Sequence, residues 1–429
     1  MWAHPGDPEG QSLLRKEYLA SQKLGEMTDE EKERLRVIRV ARYARERRDR
    51  TEHEPSIRED DGKREGGAKQ SEVGGATLAV LHTQAKLASL ENPWSGEPKT
   101  IIDGMIDDMP DDVPVYTMDT LHLMPKNEPS QLELFLLSKV RTLPEFTQGK
   151  TEGALRVMES IACLRDQVRT KKFLLGIKDS VKDLDTPENA TINMCDAGTG
   201  ALPILAIYAA LCSDKVRCTA LELNPNSARV AREVVTSFGL EDRIKVVETD
   251  ATKFKPDAPL DFLVSETMHS GLTQEPIVQI LANLQPQVKE GGVIMPSGIT
   301  VQAGLVRLED FVQPRGFVKI GDNMHHVVEP AWQEVVNYTS GDGLEEINFS
   351  LPTTDSSQGD YMIAVTSTVD VGLQHLDSYQ SLITMPQYVC DSKGDPQLFK
   401  LTGNEKQGLE VQYKPGDMLN GVGRIVNKS

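Results

Sequence analysis

The sequence predicts an α/β chain: a parallel sheet with helices on both faces, then an antiparallel β-barrel, all behind an N-terminal helical extension. Three observations predict it. Between about residue 150 and Pro296, short apolar runs alternate with helical periodicity, the pattern of strand–helix units that build a parallel sheet. After Pro296 the helical pattern stops, and β-rich runs separated by Gly, Asp and Pro turns take over. Before residue 150 the chain is polar, with isolated helical patches.

Taken in order, residues 1–75 read as a charged, largely disordered extension. Within it, Thr28 and Glu31 open a capping pattern, and Leu35, Ile38 and the basic run Arg39 to Arg50 continue a helical one. Such a run is either a solvated face or a surface for RNA, anionic lipid or a partner. Glu52 to Gly75 has almost no large apolar residues and reads as a linker. Residues 76–150 form a helical accessory region, with apolar patches at Leu78–Leu90 and Leu132–Val140. Residues 151–296 form the sheet domain. One helix is expected over Ala154–Ile177, strands at Ile192–Cys195, Val216–Leu221, Ile244–Glu248, Phe262–Val264 and Val293–Met295, and helices at Leu202–Leu211, Ser227–Phe238 and Pro276–Leu284. Residues 297–429 form the barrel domain, with β runs at Thr300–Leu305, Phe317–Ile320, Tyr361–Val369, Ser381–Thr384 and Glu410–Tyr413.

Composition narrows the function. A formal net charge of −18 argues against a general nucleic-acid binder, which needs clustered Lys and Arg, and suits a cationic substrate. The five cysteines show no CxxC pair, so neither a structural zinc nor a secreted disulfide framework is indicated, and a reducing cytoplasm is expected. His325-His326 lacks metal-ligand spacing and reads as structural; no metal site is expected. No apolar run reaches the roughly 18 residues of a membrane span.

Asp196-Ala197-Gly198-Thr199-Gly200 follows the first strand and leads into a helix, where glycines let the backbone approach a nucleotide in a Rossmann-like sheet. Glu222, at the end of the next strand, suits two ribose hydroxyls, and Asp250, after the third, an adenine amino group. The dinucleotide fingerprint asks for Gly or Ala where Pro203 stands, so the expected ligand is S-adenosyl-L-methionine, which has no pyrophosphate. Asp196 would then help to hold the methionyl end. A tight turn without a ligand is the other reading of Gly198 and Gly200.

Ser265 to Glu275 reads SETMHSGLTQE and places two carboxylates, Glu266 and Glu275, at the two ends of a loop that follows a buried strand. A planar guanidinium, charged at any ordinary pH, is the cation such a pair matches. Taken alone, Glu275 also reads as a first-turn residue of the next helix, capped by Thr273, but that leaves Glu266 without a reason. His269 in the same loop is either a proton acceptor or a hydrogen-bonded loop residue.

These residues resemble the protein arginine methyltransferase family over roughly residues 154–425. Four stretches carry the likeness: CLRDQVRTKKF from Cys163, the DAGTG loop with Glu222, SETMHSGLTQE with its nine-residue spacing of glutamates, and GGVIMPSGITVQAGLV from Gly291, with a fainter echo in YKPGDMLNGVG from Tyr413. The resemblance implies that Arg169 meets the cofactor carboxylate, that Met268 packs near the sulfur, and that Glu266 and Glu275 hold the substrate guanidinium without a metal. It also allows a homodimer. The chain departs from the family at three places. The family's third loop glycine falls at Leu202 or Pro203, its paired tyrosines near Lys150 and Ala154, and its Thr-His-Trp motif at Asp377-Ser378-Tyr379, without the histidine. The lost histidine and a short barrel favour free L-arginine or a small guanidino metabolite, as in the natural-product arginine methyltransferases that the chain also resembles. The alternatives are an Arg-rich protein substrate, or a catalytically silent relative that binds a partner.

Overall fold

The computed structural model describes residues 94–427, apart from 118–119, 121–128, 141–151, 186–190, 313–315, 322, 340–343, 354–356, 391–395 and 404–406. The helix expected at Thr28–Arg50, the linker to Gly75 and the patch Leu78–Leu90 lie outside the described residues.

The first described elements form an accessory layer. Helix α1 (Pro98–Asp108) starts on a proline, whose fixed φ suits a first turn, and buries the stripe Ile102, Met105 and Ile106. Strand β1 (Val115–Tyr116) and helix α2 (Gln131–Val140) follow. Where one helix was expected over 154–177 there are two, α3 (Glu152–Arg165) and α4 (Gln167–Leu184). Asp166 divides them. Its side chain caps α4 by accepting from the Arg169 backbone N–H at 3.4 Å, which ends one helix and starts the next. Arg165 closes α3 and grips the fully buried Glu133 of α2 with two hydrogen bonds, of 2.9 and 3.0 Å, fastening the accessory layer to the sheet domain.

The sheet domain then runs β2 (Ile192–Ala197), α5 (Ile204–Cys212), β3 (Val216–Glu222), α6 (Pro225–Ser237), β4 (Ile244–Glu248), β5 (Leu260–Ser265), α7 (Ile277–Leu284) and β6 (Val288–Met295). The strands lie in the order β4-β3-β2-β5-β6 and all pair in parallel. The five strands are those expected. β5 is buried along its whole length and β2 nearly so, as strands covered by helices on both faces must be. The chain builds outward from β2 first one way and then the other, so a crevice opens beyond the C-terminal ends of β2 and β5, where sheets of this kind bind ligands.

The rest is mostly antiparallel: β7 (Gly298–Arg307), the short helix α8 (Leu308–Val312), β8 (Phe317–Ile320), β9 (Asn323–His326), β10 (Gln333–Thr339), β11 (Ile347–Pro352), β12 (Gln358–Val371), β13 (Gln374–Leu376), β14 (Gln387–Tyr388), β15 (Phe399–Thr402), β16 (Gln407–Lys414) and β17 (Asp417–Asn427). β7 and β12 centre a six-stranded sheet, β11-β16-β17 form a second, and the β8–β9 hairpin pairs with β1 of the accessory layer as a third. Among the described residues no ladder joins these sheets into one closed barrel. Two expectations are corrected here. Helices do not stop at Pro296, since α8 follows β7. Ser381–Thr384 is not a strand, because Ser381 and Thr384 form a reciprocal capping box that closes the 3₁₀ turn Leu382–Thr384. His326 packs edge-on against Phe311 and Phe317. Among the described residues no helix is long and apolar enough to cross a membrane.

Helix α4 crosses the end of β12 so closely that a Cβ on Gly176 would stand 2.7 Å from the Val371 carbonyl oxygen and 2.9 Å from Met295 Cε. A backbone oxygen cannot swing away. Gly176→Val is therefore expected to cost ~1–3 kcal/mol, despite the better helix propensity of valine. The urea midpoint checks this; an unchanged midpoint would show that the helix can shift freely.

Candidate active site

The crevice beyond β2 and β5 holds a cavity of about 280 Å³. Its floor is the turn after β2. Gly198 (φ 86°) and Gly200 (φ 68°) both take the left-handed conformation that other residues resist. At Gly198 a side chain is also excluded by space, because its Cβ would lie 2.1 Å from Thr267 Cγ2. Glu222, at the end of β3, ties this turn down: it accepts from the Gly200 N–H at 2.9 Å and from the Asn224 N–H at 2.7 Å. Burial raises its carboxyl above the ordinary range, while those two backbone donors pull it back. Asp196 ends β2 almost wholly buried and accepts from the Thr199 hydroxyl at 2.6 Å. Burial pushes it up to about 7.

One wall is the α3–α4 junction. Arg169, in the first turn of α4, donates to Glu266 at 2.8 Å and to the Cys163 carbonyl at 2.9 Å, and its Nε stands 3.6 Å from Asp166. Burial works against its charge, but Glu266 and Asp166 more than offset this, so the guanidinium holds its proton more firmly than usual. Glu266 is itself raised by burial, with Arg169 drawing it back. The opposite wall is the loop from Glu266 to Glu275. Gly271, Leu272 and Glu275 all have positive φ, of 66°, 55° and 66°, which a glycine takes freely but which strains Leu272 and Glu275, so the surroundings must hold the loop. The antiparallel half holds it. The Ser367 hydroxyl accepts from the Gly271 N–H, Tyr413 Oη donates to the Gly271 carbonyl at 2.7 Å, and the Gly416 N–H donates to the Leu272 carbonyl at 2.8 Å.

Arg169, Asp196, Gly198, Gly200, Glu222, Glu266 and Glu275 therefore line one cavity, although the sequence spreads them over more than a hundred positions. Glu275 stands before α7, which begins at Ile277 on a Pro276 cap, and Thr273 does not cap that helix: its hydroxyl bonds back to the Ser270 carbonyl. Two expected residues stand elsewhere. Met268 is 1% exposed, packs in the core and does not line the cavity. Asp250 lies outside the cavity lining; it accepts from both the Thr252 N–H and hydroxyl and pairs with Lys253 at 2.8 Å. His269 shares a 2.9 Å hydrogen bond with Thr273 and does not line the cavity. Sequence reasoning missed Arg156, Glu159, Ser160 and Cys163 on α3, and Thr267 beside Glu266. Ser160 Oγ accepts from the Ala201 N–H at 3.0 Å, so α3 is pinned across the glycine turn. The spacing of Glu159, Ser160 and Cys163 along one face of α3 was the available signal.

Comparison with known proteins finds several likenesses. Residues 177–323 match the family model described as ribosomal protein L11 methyltransferase (PrmA). Over those residues the chain is similar to a methyltransferase family. An arginine N(omega)-methyltransferase of Streptomyces achromogenes subsp. streptozoticus is 26% identical over 157 residues, which cover 35% of this chain and 41% of that protein. The match thus spans less than half of that relative's length. Among solved structures, protein arginine methyltransferase 10 of Arabidopsis thaliana superposes with a TM-score of 0.41 at 13% identity, covering 60% of this chain and 87% of the other. The Trypanosoma brucei PRMT1 enzyme–prozyme complex gives 0.43 at 14% identity, covering 63% and 98%.

The cavity makes stability depend on pH in a definite sense. Asp196 titrates near 7 in the folded chain and near about 4 once unfolded. Between those values the folded chain keeps a proton that the unfolded chain has released. This contribution is complete at acid pH and is lost as pH rises towards 7, at up to ~1.4 kcal/mol per pH unit. Asp196→Asn, which cannot ionise, is expected to flatten the decline, as read from urea unfolding at pH 5 and pH 8. Parallel profiles for variant and wild type would refute the assignment.

Proposed function

We propose that this chain transfers a methyl group from S-adenosylmethionine to a guanidino nitrogen of arginine within a protein. The observation that carries the reading is that Glu266 and Glu275 open onto the same cavity as the glycine turn and Arg169.

The residues present suit the donor. Glu222 would take a diol, Asp196 an ammonium and Arg169 a carboxylate, while glycines at 198 and 200 would allow a close approach by a ligand that has no pyrophosphate. When bound, the donor supplies an electrophilic methyl on a positively charged sulfur. The chain supplies position and charge. Glu266, steadied by Arg169, and Glu275 would bind two edges of the guanidinium, draw its charge towards the nitrogens they hold and leave the third nitrogen electron-rich. Transfer to a guanidinium releases one proton overall. Burial raises the carboxyl of Glu266, which suits it to accept that proton from the reacting group.

The cavity also bears on the acceptor. Free arginine brings an α-carboxylate that needs a cation, and neither cation of the lining is left for it: Arg169 is assigned above to the donor's carboxylate, and Arg156 pairs with Glu159 at 2.9 Å. An arginine within a peptide carries no such charge, and the acidic chain, at −18, attracts Arg-rich partners. The free-arginine reading keeps in its favour the absence of a histidine at Asp377-Ser378-Tyr379 and the likeness to a Streptomyces arginine N(omega)-methyltransferase. A silent relative is disfavoured because five charged side chains, Arg169, Asp196, Glu222, Glu266 and Glu275, converge on one cavity with the glycine turn.

Supplied with labelled donor, the wild type is expected to label an Arg/Gly-rich peptide in preference to free L-arginine. Glu266→Gln is expected to lose roughly 10²–10³ of that rate, the scale for removing one preorganised charge from a reacting centre. Label only on free arginine would reverse the choice of acceptor. Label on neither would remove the arginine reading.

A further inference from the structure

We infer that Ser381, in the antiparallel half of the chain, is a positioning residue for Arg169 and acts through Asp166; the inference rests on the methyltransferase reading above. Asp166 is 1% exposed and does not line the cavity. A carboxylate that deep must be met by donors. Its Oδ2 accepts from Ser381 Oγ at 2.7 Å and from the Leu382 N–H at 2.8 Å, and its Oδ1 accepts from the Arg169 N–H at 3.4 Å. One carboxylate therefore joins two segments more than 200 residues apart.

Ser381 can serve as a fixed point because its own position is overdetermined. It is fully buried, its Oγ also accepts from the Ile383 N–H at 3.2 Å, and its N–H donates to Thr384 Oγ1 at 3.1 Å. The turn is in turn held to β12 by the Thr366 hydroxyl, which donates to the Thr384 carbonyl at 2.6 Å. Asp166 defines where α4 begins, and Arg169 lies in the first turn that it caps. The direction of the Arg169 guanidinium, and with it the hold on Glu266, thus follows from where Ser381 keeps Asp166. A hydroxyl lost here leaves a buried carboxylate short of one donor and free to turn.

Two ligands test this, because they share a nucleoside and differ at the end that meets Arg169. S-adenosylhomocysteine carries the amino-acid group; 5′-methylthioadenosine does not. Calorimetry on the full chain is expected to show Ser381→Ala weakening S-adenosylhomocysteine about tenfold, the scale for one hydrogen bond lost from a buried charge, with 5′-methylthioadenosine unchanged. Ser381→Thr, which keeps the hydroxyl, is expected to restore binding. Should the alanine variant not fold, Asp166→Asn keeps the shape and the cap and is expected to give the same selective loss. Equal losses for both ligands, or none, would overturn the inference and leave the methyltransferase reading in place. A wild type that bound neither ligand would remove both.

Discussion

The crevice depends on one buried ion pair, Arg169 with Glu266. The arginine side chain is 6% exposed and the glutamate 18%, so water solvates both charges poorly. In such places the desolvation of each ion is large, and removing either partner strands the other at a cost of about 3–5 kcal/mol. The pair also joins the first turn of α4 to the end of β5, two elements that no backbone ladder connects. A carboxylate has about four lone-pair sites, so Glu266 can keep Arg169 and still receive a second planar cation. The same contact is thus both a structural rivet and half of a binding site.

Around that pair the cavity collects carboxylates beyond what its own cations neutralise. Asp196, Glu222 and Glu266 are all raised by burial, which means that each is held in a place where its charge is poorly solvated. Such a site gains from every positive group that enters it. An ammonium, a sulfonium and a guanidinium are three such groups, and together they would relieve a strain that folding alone leaves in place. The strained backbone at Leu272 and Glu275 belongs to the same picture, a loop kept in an unfavourable shape by contacts from the second half of the chain.

Much of this was legible in the sequence because strand ends are legible. Asp196, Glu222 and Glu266 each sit where an apolar run stops, and parallel strands bring their C-terminal ends to one edge. The burial of Met268 was not legible, since three residues beyond the strand end the chain has already turned and nothing local says which way the side chain faces. Asp250 has a competing local partner in Lys253, which sequence alone cannot rank against a ligand. The helix break at Asp166 was hidden in an unbroken helical period, where an aspartate reads as a surface residue until its capping bond is seen. Ser381 to Thr384 misled for the opposite reason: two apolar residues between hydroxyls look extended, and only the reciprocal hydrogen bonds close them into a turn.

Tyr413 donates to the Gly271 carbonyl across 142 positions, and its hydroxyl is buried with it. A nascent chain that has emerged only as far as the parallel sheet would carry the glycine turn and both glutamates, but not the prop that keeps their loop in its strained shape. The final shape of the loop, on this account, arrives with the last strands, and an interrupted translation product would be a folded sheet with a slack mouth.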